Sequence, residues 1–247
     1  MIDRVFVVMP AFNAGATVEK VFDRIPLETR ARVERYVIVD DGSTDDTAAA
    51  LARLGRDFRN LVVLKHGRNR GYGAAEKTLL SYARREGAEA AVLLHADGQY
   101  SPEKILDLLA PLDRNEADLV LGSRMLGGGA LRGGMPVYKY LANKILTAVE
   151  NSAFGMKLAE YHSGYLAYSR KVLEGLPFDR LSDSFDIDVE MMVCSRIQGL
   201  RIKEIAIPTI YAGEVSHLQP VRYGLDVLKI VRKYRRGYYH FLLREAT

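Results

Sequence analysis

Two regimes of apolar and polar positions alternate along the first half of the chain. Short apolar runs rich in β-branched residues are each followed by a longer stretch with helical spacing. The runs are RVFVVMP (4–10), RYVIVDD (35–41), LVVLKH (61–66), EAAVLLH (89–95) and ADLVLGSR (117–124), and each predicts a strand. The intervening segments TVEKVFDRI (17–25), STDDTAAALARLGR (43–56), GYGAAEKTLLSYARREG (71–87) and SPEKILDLLAPL (101–112) predict helices. Ser43 and Ser101 read as caps, with acids or Pro102 in the first turn. The second half is less regular. LGGGALRGGMP (126–136) is a glycine-rich loop and VYKYLANKILTAVENSAFG (137–155) a helix. EYHSGYLAYSRKVLEGL (160–176) reads as a short strand pair leading to a helix. SFDIDVEMMVCSRIQGL (184–200) reads as a helix, RIKEIAIPTIY (201–211) as a strand, and residues 220–245 as a long amphipathic helix with a glycine interruption.

Strands alternating with helices predict an α/β fold with a mostly parallel sheet covered on both faces. In such sheets ligands sit beyond the C-terminal strand ends. The unusual residues lie there: Pro10 to Asn13 after the first strand, Asp40 and Asp41 after the second, His95 to Gln99 after the fourth, Ser123 and Arg124 after the fifth. His95, Asp97 and Gln99 are spaced by two, so an extended backbone past His95 would make their side chains converge.

Composition narrows the picture. The 247 residues suit one large domain, read here as a body of residues 1–219 with a C-terminal extension of residues 220–247. A single cysteine, Cys194, excludes an internal disulfide and fits a reducing, cytoplasmic compartment. The N-terminal apolar run is too short for a signal peptide, and no stretch approaches the roughly 20 apolar residues of a membrane span. The net charge of +4 is uneven: residues 220–247 hold seven Lys/Arg against two acids, a surplus of five, and the rest sums to −1. Such a tail expects an anionic partner or a solvated helix face. No nucleic-acid motif accompanies it, and the body is not basic, which argues against a nucleic-acid partner.

Two chemistries are excluded by motif. No GxGxxG follows the first strand, against a nicotinamide or flavin site, and no GxxxxGK[ST] occurs, against a P-loop NTPase. Carboxylates at a strand end, as in VIVDDGSTDDT, accept hydrogen bonds from a base or a ribose hydroxyl.

Taken in order, VVMPAFNAGATVEKV, VIVDDGSTDDT, NRGYGAA, LLHADGQYSPEKI and LVLGSR resemble the inverting family-2 glycosyltransferases of the GT-A fold. The later stretches GSRMLGGG, HSGYLAYSRKVLEGLPF and RIKEIAIPTIY resemble the dolichol- or polyprenyl-phosphate sugar synthases within that family. The resemblance implies a nucleoside pocket lined by Pro10, Phe12 and Asn13, with Asp40 and Asp41 on base or ribose and Asn69 and Gly71 at the border. It implies that Asp97 holds a divalent metal, Mg²⁺ or Mn²⁺, against the donor diphosphate. Where those synthases carry Asp-x-Asp, this chain has His95-Ala-Asp97-Gly-Gln99. His95 then either ligates the metal beside Asp97 and Gln99 or only hydrogen-bonds within the site.

The resemblance further places Arg124 and Arg132 against an acceptor phosphate, a role for which the planar guanidinium is suited. His217 falls where a basic residue faces the donor diphosphate. A lipid-phosphate acceptor is already ionised and needs no base. A hydroxyl acceptor needs a carboxylate, and SFDIDVE offers Asp186, Asp188 and Glu190, of which 186 and 190 share a helical face. The implied activity is inverting transfer of a hexose from a nucleotide-diphosphate sugar, of GDP-mannose or UDP-glucose type, to a polyprenyl phosphate at the membrane surface. Transfer to a soluble sugar or glycan hydroxyl with an Asp base, and a non-catalytic nucleotide-binding scaffold, are the alternatives. The basic C-terminal helix suggests peripheral contact at the inner face of the membrane. Packing onto the body or a partner subunit, including a homo-oligomer, fits the same pattern.

Overall fold

The computed structural model describes residues 1–131, 133–208 and 220–245. Its centre is a seven-stranded sheet in the order β3-β2-β1-β4-β6-β5-β7. The strands are β1 (Val5–Ala11), β2 (Val33–Asp40), β3 (Leu61–Lys65), β4 (Ala90–Leu93), β5 (Leu119–Ser123), β6 (Leu166–Ser169) and β7 (Ile202–Ala206). All pairs are parallel except those of β6, which runs antiparallel between β4 and β5. The stretch 160–176 therefore holds one strand rather than the expected pair.

The central strands are buried on both faces, which is why they read as unbroken apolar runs. Phe6 and Val8 of β1 and Ala91 and Leu93 of β4 face one core. Val5, Val7 and Met9, with Ala90 and Val92, face the other. The first core is roofed by α4 (Tyr72–Arg85), α7 (Arg170–Gly175), α8 (Ile187–Ile197) and the C-terminal helices α9 (Pro220–Arg235) and α10 (Tyr238–Arg244). The second is roofed by α1 (Val18–Asp23), α3 (Thr47–Asp57) and α5 (Ile105–Asp113). A short α2 (Leu27–Arg32) enters β2, and α6 (Val137–Phe154) follows the glycine-rich loop.

Two helix starts differ from expectation. Ser43 does not cap α3, because its hydroxyl accepts the Asn13 N–H at 3.0 Å. The helix begins at Thr47, whose N–H and hydroxyl donate to Asp45 Oδ1 at 3.0 and 2.5 Å. Ser101 likewise makes no cap bond; a 3₁₀ turn over Pro102–Lys104 precedes α5. The C-terminal helix breaks at Gly237, held at φ 76°. Residues 209–211 of the expected last strand lie outside the described residues.

Candidate active site

The first wall is built by the ends of β1, β2 and β3. Asn13 sits at φ 51°, a left-handed conformation that asparagine tolerates. Its side-chain oxygen accepts the Thr44 N–H at 3.0 Å, tying the end of β1 to the turn after β2. Asp40 and Asp41 are both buried, and both are engaged by the protein. Asp40 Oδ1 accepts the Ser43 N–H at 2.9 Å. Asp41 takes the Arg70 and Gly71 N–H groups, each at 3.0 Å, and meets His66 Nδ1 at 2.5 Å. Gly42 lets this loop close: a Cβ there would lie 2.5 Å from the Asn69 nitrogen. Phe12, Asn13 and Asn69 therefore stand exposed above two buried carboxylates, with half-buried Pro10 and Gly71 at the edges.

The second wall is built from β4, β6 and α8. β4 ends at Leu93, so the alternation that would make residues 95, 97 and 99 converge stops early. The reason is local: Asp97 Oδ1 accepts the Gln99 N–H at 3.0 Å, closing a turn with Gly98 at φ 80°. Among the described residues, Asp97 Oδ2 accepts no hydrogen bond. His95 turns the other way. Its Nε2 lies 3.1 Å from the Tyr72 hydroxyl, which is 3.2 Å from Asp188 Oδ2. Its ring packs edge-on against Tyr100, whose hydroxyl accepts the Gly164 N–H at 2.8 Å. Burial holds the imidazole below its ordinary pKa, hence neutral, and the nearby Arg124 charge adds to this against the opposing pull of Asp97.

Behind Tyr72 lies a buried acid pair. The buried carboxyls of Glu76 and Asp188 repel each other there; Tyr168 donates to Glu76 Oε1 at 2.8 Å, and Glu76 Oε2 is buried with no hydrogen-bond donor among the described residues. Burial and the mutual charge push Asp188 far above the usual carboxylate range; burial takes Glu76 to about 7. Both carboxyls are thereby biased toward their neutral, protonated forms. Asp186 is half-buried and accepts the Ser182 hydroxyl at 2.5 Å; Ser182 N–H donates to Glu190 at 2.7 Å, so 186 and 190 do share a face. Glu190, however, is buried and spent on Lys233 (3.0 Å) and Tyr239 (2.6 Å), fastening α9 and α10 to α8.

Arg124 leaves β5 and turns inward. Its Nε donates to Glu160 Oε1 at 3.1 Å and its Nη2 to the His162 carbonyl at 2.5 Å. Glu160 is fully buried; burial alone would raise its pKa, but the Arg124 guanidinium outweighs this and holds it low. Arg132 and His217 lie outside the described residues. Tyr72, Tyr100 and Gly164 were not singled out individually; GYGAA, the end of HADGQY and the HSG triplet are the signals that mark them.

The family-2 glycosyltransferase model, "Glycosyl transferase family 2", matches residues 6–176, well over half of the sequence. The chain belongs to this family. Among curated relatives it is 26% identical over 219 residues to the UDP-N-acetylglucosamine–dolichyl-phosphate N-acetylglucosaminyltransferase of Methanococcus voltae, covering 84% of this chain and 86% of that one. It is 27% identical to the polyprenol monophosphomannose synthase of Mycolicibacterium smegmatis, over 83% of this chain and 76% of that one. Glucosyl-3-phosphoglycerate synthase of Mycobacterium tuberculosis, solved with Mn²⁺, UDP and glucosyl-3-phosphoglycerate, superposes at a TM-score of 0.69. It has 21% identity and covers 95% of this chain and 80% of its own. The fold is GT-A, and the chain is a glycosyltransferase with polyprenyl-phosphate sugar transferases among its relatives.

Proposed function

We propose that this family-2 glycosyltransferase transfers a hexose, with inversion, from a nucleoside diphosphate sugar to a polyprenyl phosphate. The observation that carries the reading is Asp97: a carboxylate with one oxygen closing a turn and the other accepting no hydrogen bond among the described residues, just after β4, which pairs with the β1 strand whose end carries exposed Phe12 and Asn13. The relatives that act on dolichyl and polyprenol phosphates supply the acceptor class.

The residues fit a hard divalent cation shared with the donor. Among the described residues no three His, Cys, Asp or Glu side chains gather to hold a metal alone. Mg²⁺ or Mn²⁺ suits such a place, since these ions accept a single protein carboxylate and complete their shell with phosphate oxygens and water. Asp97 would hold it, with Gln99 close by; when bound it neutralises charge on the departing diphosphate. His95 stays a neutral neighbour, its Nε2 held by Tyr72 rather than by the ion. Pro10, Phe12, Asn13, Asn69 and Gly71 cradle the nucleoside, and Asp40 and Asp41 shape that cradle from below. Arg124 holds a positive charge beside the reacting centre from within its Glu160 pair.

An ionised phosphate acceptor attacks without a base. The partly exposed Asp186 supports a second reading, in which it takes the proton from a hydroxyl acceptor; Asp188 is unsuited because it is buried and biased toward its protonated form. The test is label transfer from UDP- or GDP-sugars to polyprenyl phosphate, with Mn²⁺ or EDTA, for the native chain and Asp97→Asn. Metal-dependent labelling of the lipid, lowered about 100-fold or more in the variant, is expected. Labelling of soluble acceptors alone, lost in Asp186→Asn, would transfer the assignment to the second reading.

A further inference from the structure

Helix α6 is built inside out. Its inner face is polar: Asn143, Thr147 and Glu150 are buried there. Asn143 donates to Glu160 at 3.0 Å, Glu150 lies 3.2 Å from His162 Nε2, and the Asn151 amide donates to the Leu158 carbonyl at 2.8 Å. Its outer face is apolar. Val137, Tyr138, Leu141 and Ile145 are 64%, 65%, 53% and 65% exposed, and Val149 continues the row. They recur every four residues over a helix about 27 Å long. The one acid on this helix, Glu150, is buried. A row of this size does not stay in water without a partner.

What surrounds the row identifies that partner. Leu225 and Leu228 are half-exposed on α9, which packs beside α6. Lys144 stands exposed on α6, Arg232 and Arg235 on α9 and Arg236 just beyond its end; Lys229, also exposed on α9, is paired with Asp226 at 2.7 Å. Apolar side chains bordered by cations, with no exposed acid on α6, match the boundary between anionic headgroups and acyl chains. A second copy of the chain would set like charges against like. We infer that α6, together with the neighbouring face of α9, seats the protein on an anionic lipid bilayer. The contact deepens the lipid-phosphate reading above and rests on it for its purpose. The inner face of the same helix touches Glu160, the partner of Arg124, so the bilayer surface would lie one helix thickness from the site.

The test is co-sedimentation with phosphatidylcholine vesicles, with and without phosphatidylglycerol, for the native chain and for Leu141→Glu/Ile145→Glu. Both positions are exposed, so thermal unfolding should be unchanged. The native chain should pellet with the phosphatidylglycerol vesicles, and the variant should lose roughly tenfold or more of that partition. Equal partition of the two proteins, or none by the native chain, would overturn the inference. So would sedimentation analysis in which the substitutions split a dimer while vesicles bind neither form. Nucleotide titration on the same samples reads the site separately: vesicle binding without nucleotide binding would leave the docking face standing and remove the proposed function.

Discussion

Gly164 lacks a side chain because His95 and Tyr72 occupy the place where one would go. A Cβ there would lie 2.7 Å from His95 Nε2 and 3.0 Å from the Tyr72 hydroxyl. Gly164→Ala must therefore push the imidazole out of line beside Asp97. We expect transfer to fall about tenfold or more, with a stability loss of roughly 1–3 kcal/mol, read by steady-state kinetics and urea unfolding. The acid pair behind Tyr72 gives a pH signature. Glu76 moves from 4.5 to about 7 on folding, so the folded chain keeps a proton that the unfolded chain releases between those values. That stability is fully present below about pH 4.5 and is lost as pH rises through about 7. Glu76→Gln keeps an acceptor for Tyr168 and removes the titrating charge beside Asp188. It should raise Tm by a few degrees at about pH 8 and change it little at about pH 5, measured by thermal scans across pH.

At the scale of elements, the ends of β5 and of the segment before β6 are joined by one buried ion pair. Arg124→Ala leaves Glu160 uncompensated, which should cost about 3–5 kcal/mol in urea unfolding; adding Glu160→Gln should recover much of it. The central strands β1, β2, β4 and β5 were legible because both their faces are buried, so each carries a continuous apolar run. The strand-end motifs were legible for the same topological reason. What surrounds His95 was not: Tyr72, Asp188 and Gly164 come from three distant elements, and no local spacing links them. The early end of β4 was hidden too, since an Asp-Gly-Gln turn and an extended segment are equally compatible with HADGQ. Helix α6 was legible as a helix but not in its orientation, because its apolar stripe faces outward and its polar stripe serves the interior.

Across the whole molecule, the basic C-terminal segment is more than an appendage in its packing. Ile230, Val231, Tyr239, Leu242 and Leu243 are buried in the same core as the apolar side of α8. The Tyr223 hydroxyl meets His162 Nδ1 at 3.0 Å, linking α9 to the segment before β6. A chain ending at residue 219 should expose that core and either aggregate or unfold well below the full chain, as light scattering and thermal scans would report. Charge asymmetry had marked the segment as separate, but charge describes only its outer face; none of its described helices is long and apolar enough to cross a membrane.

The antiparallel β6 carries one more consequence, in time rather than space. β4 pairs with β1 on one edge and with β6 on the other. As the chain leaves the ribosome, β1 to β4 can assemble in order, each beside a strand already made. The far edge of β4 then stays open for more than 70 residues of synthesis, until residues 166–169 arrive. Ala90 to Leu93, wholly buried in the finished protein, form during that interval an unpaired apolar edge. The arrival that closes this edge also delivers Gly164 and Tyr165 to the rim, so the nascent protein becomes safe from edge pairing and gains the β6 part of its second site wall in one step, ahead of α8.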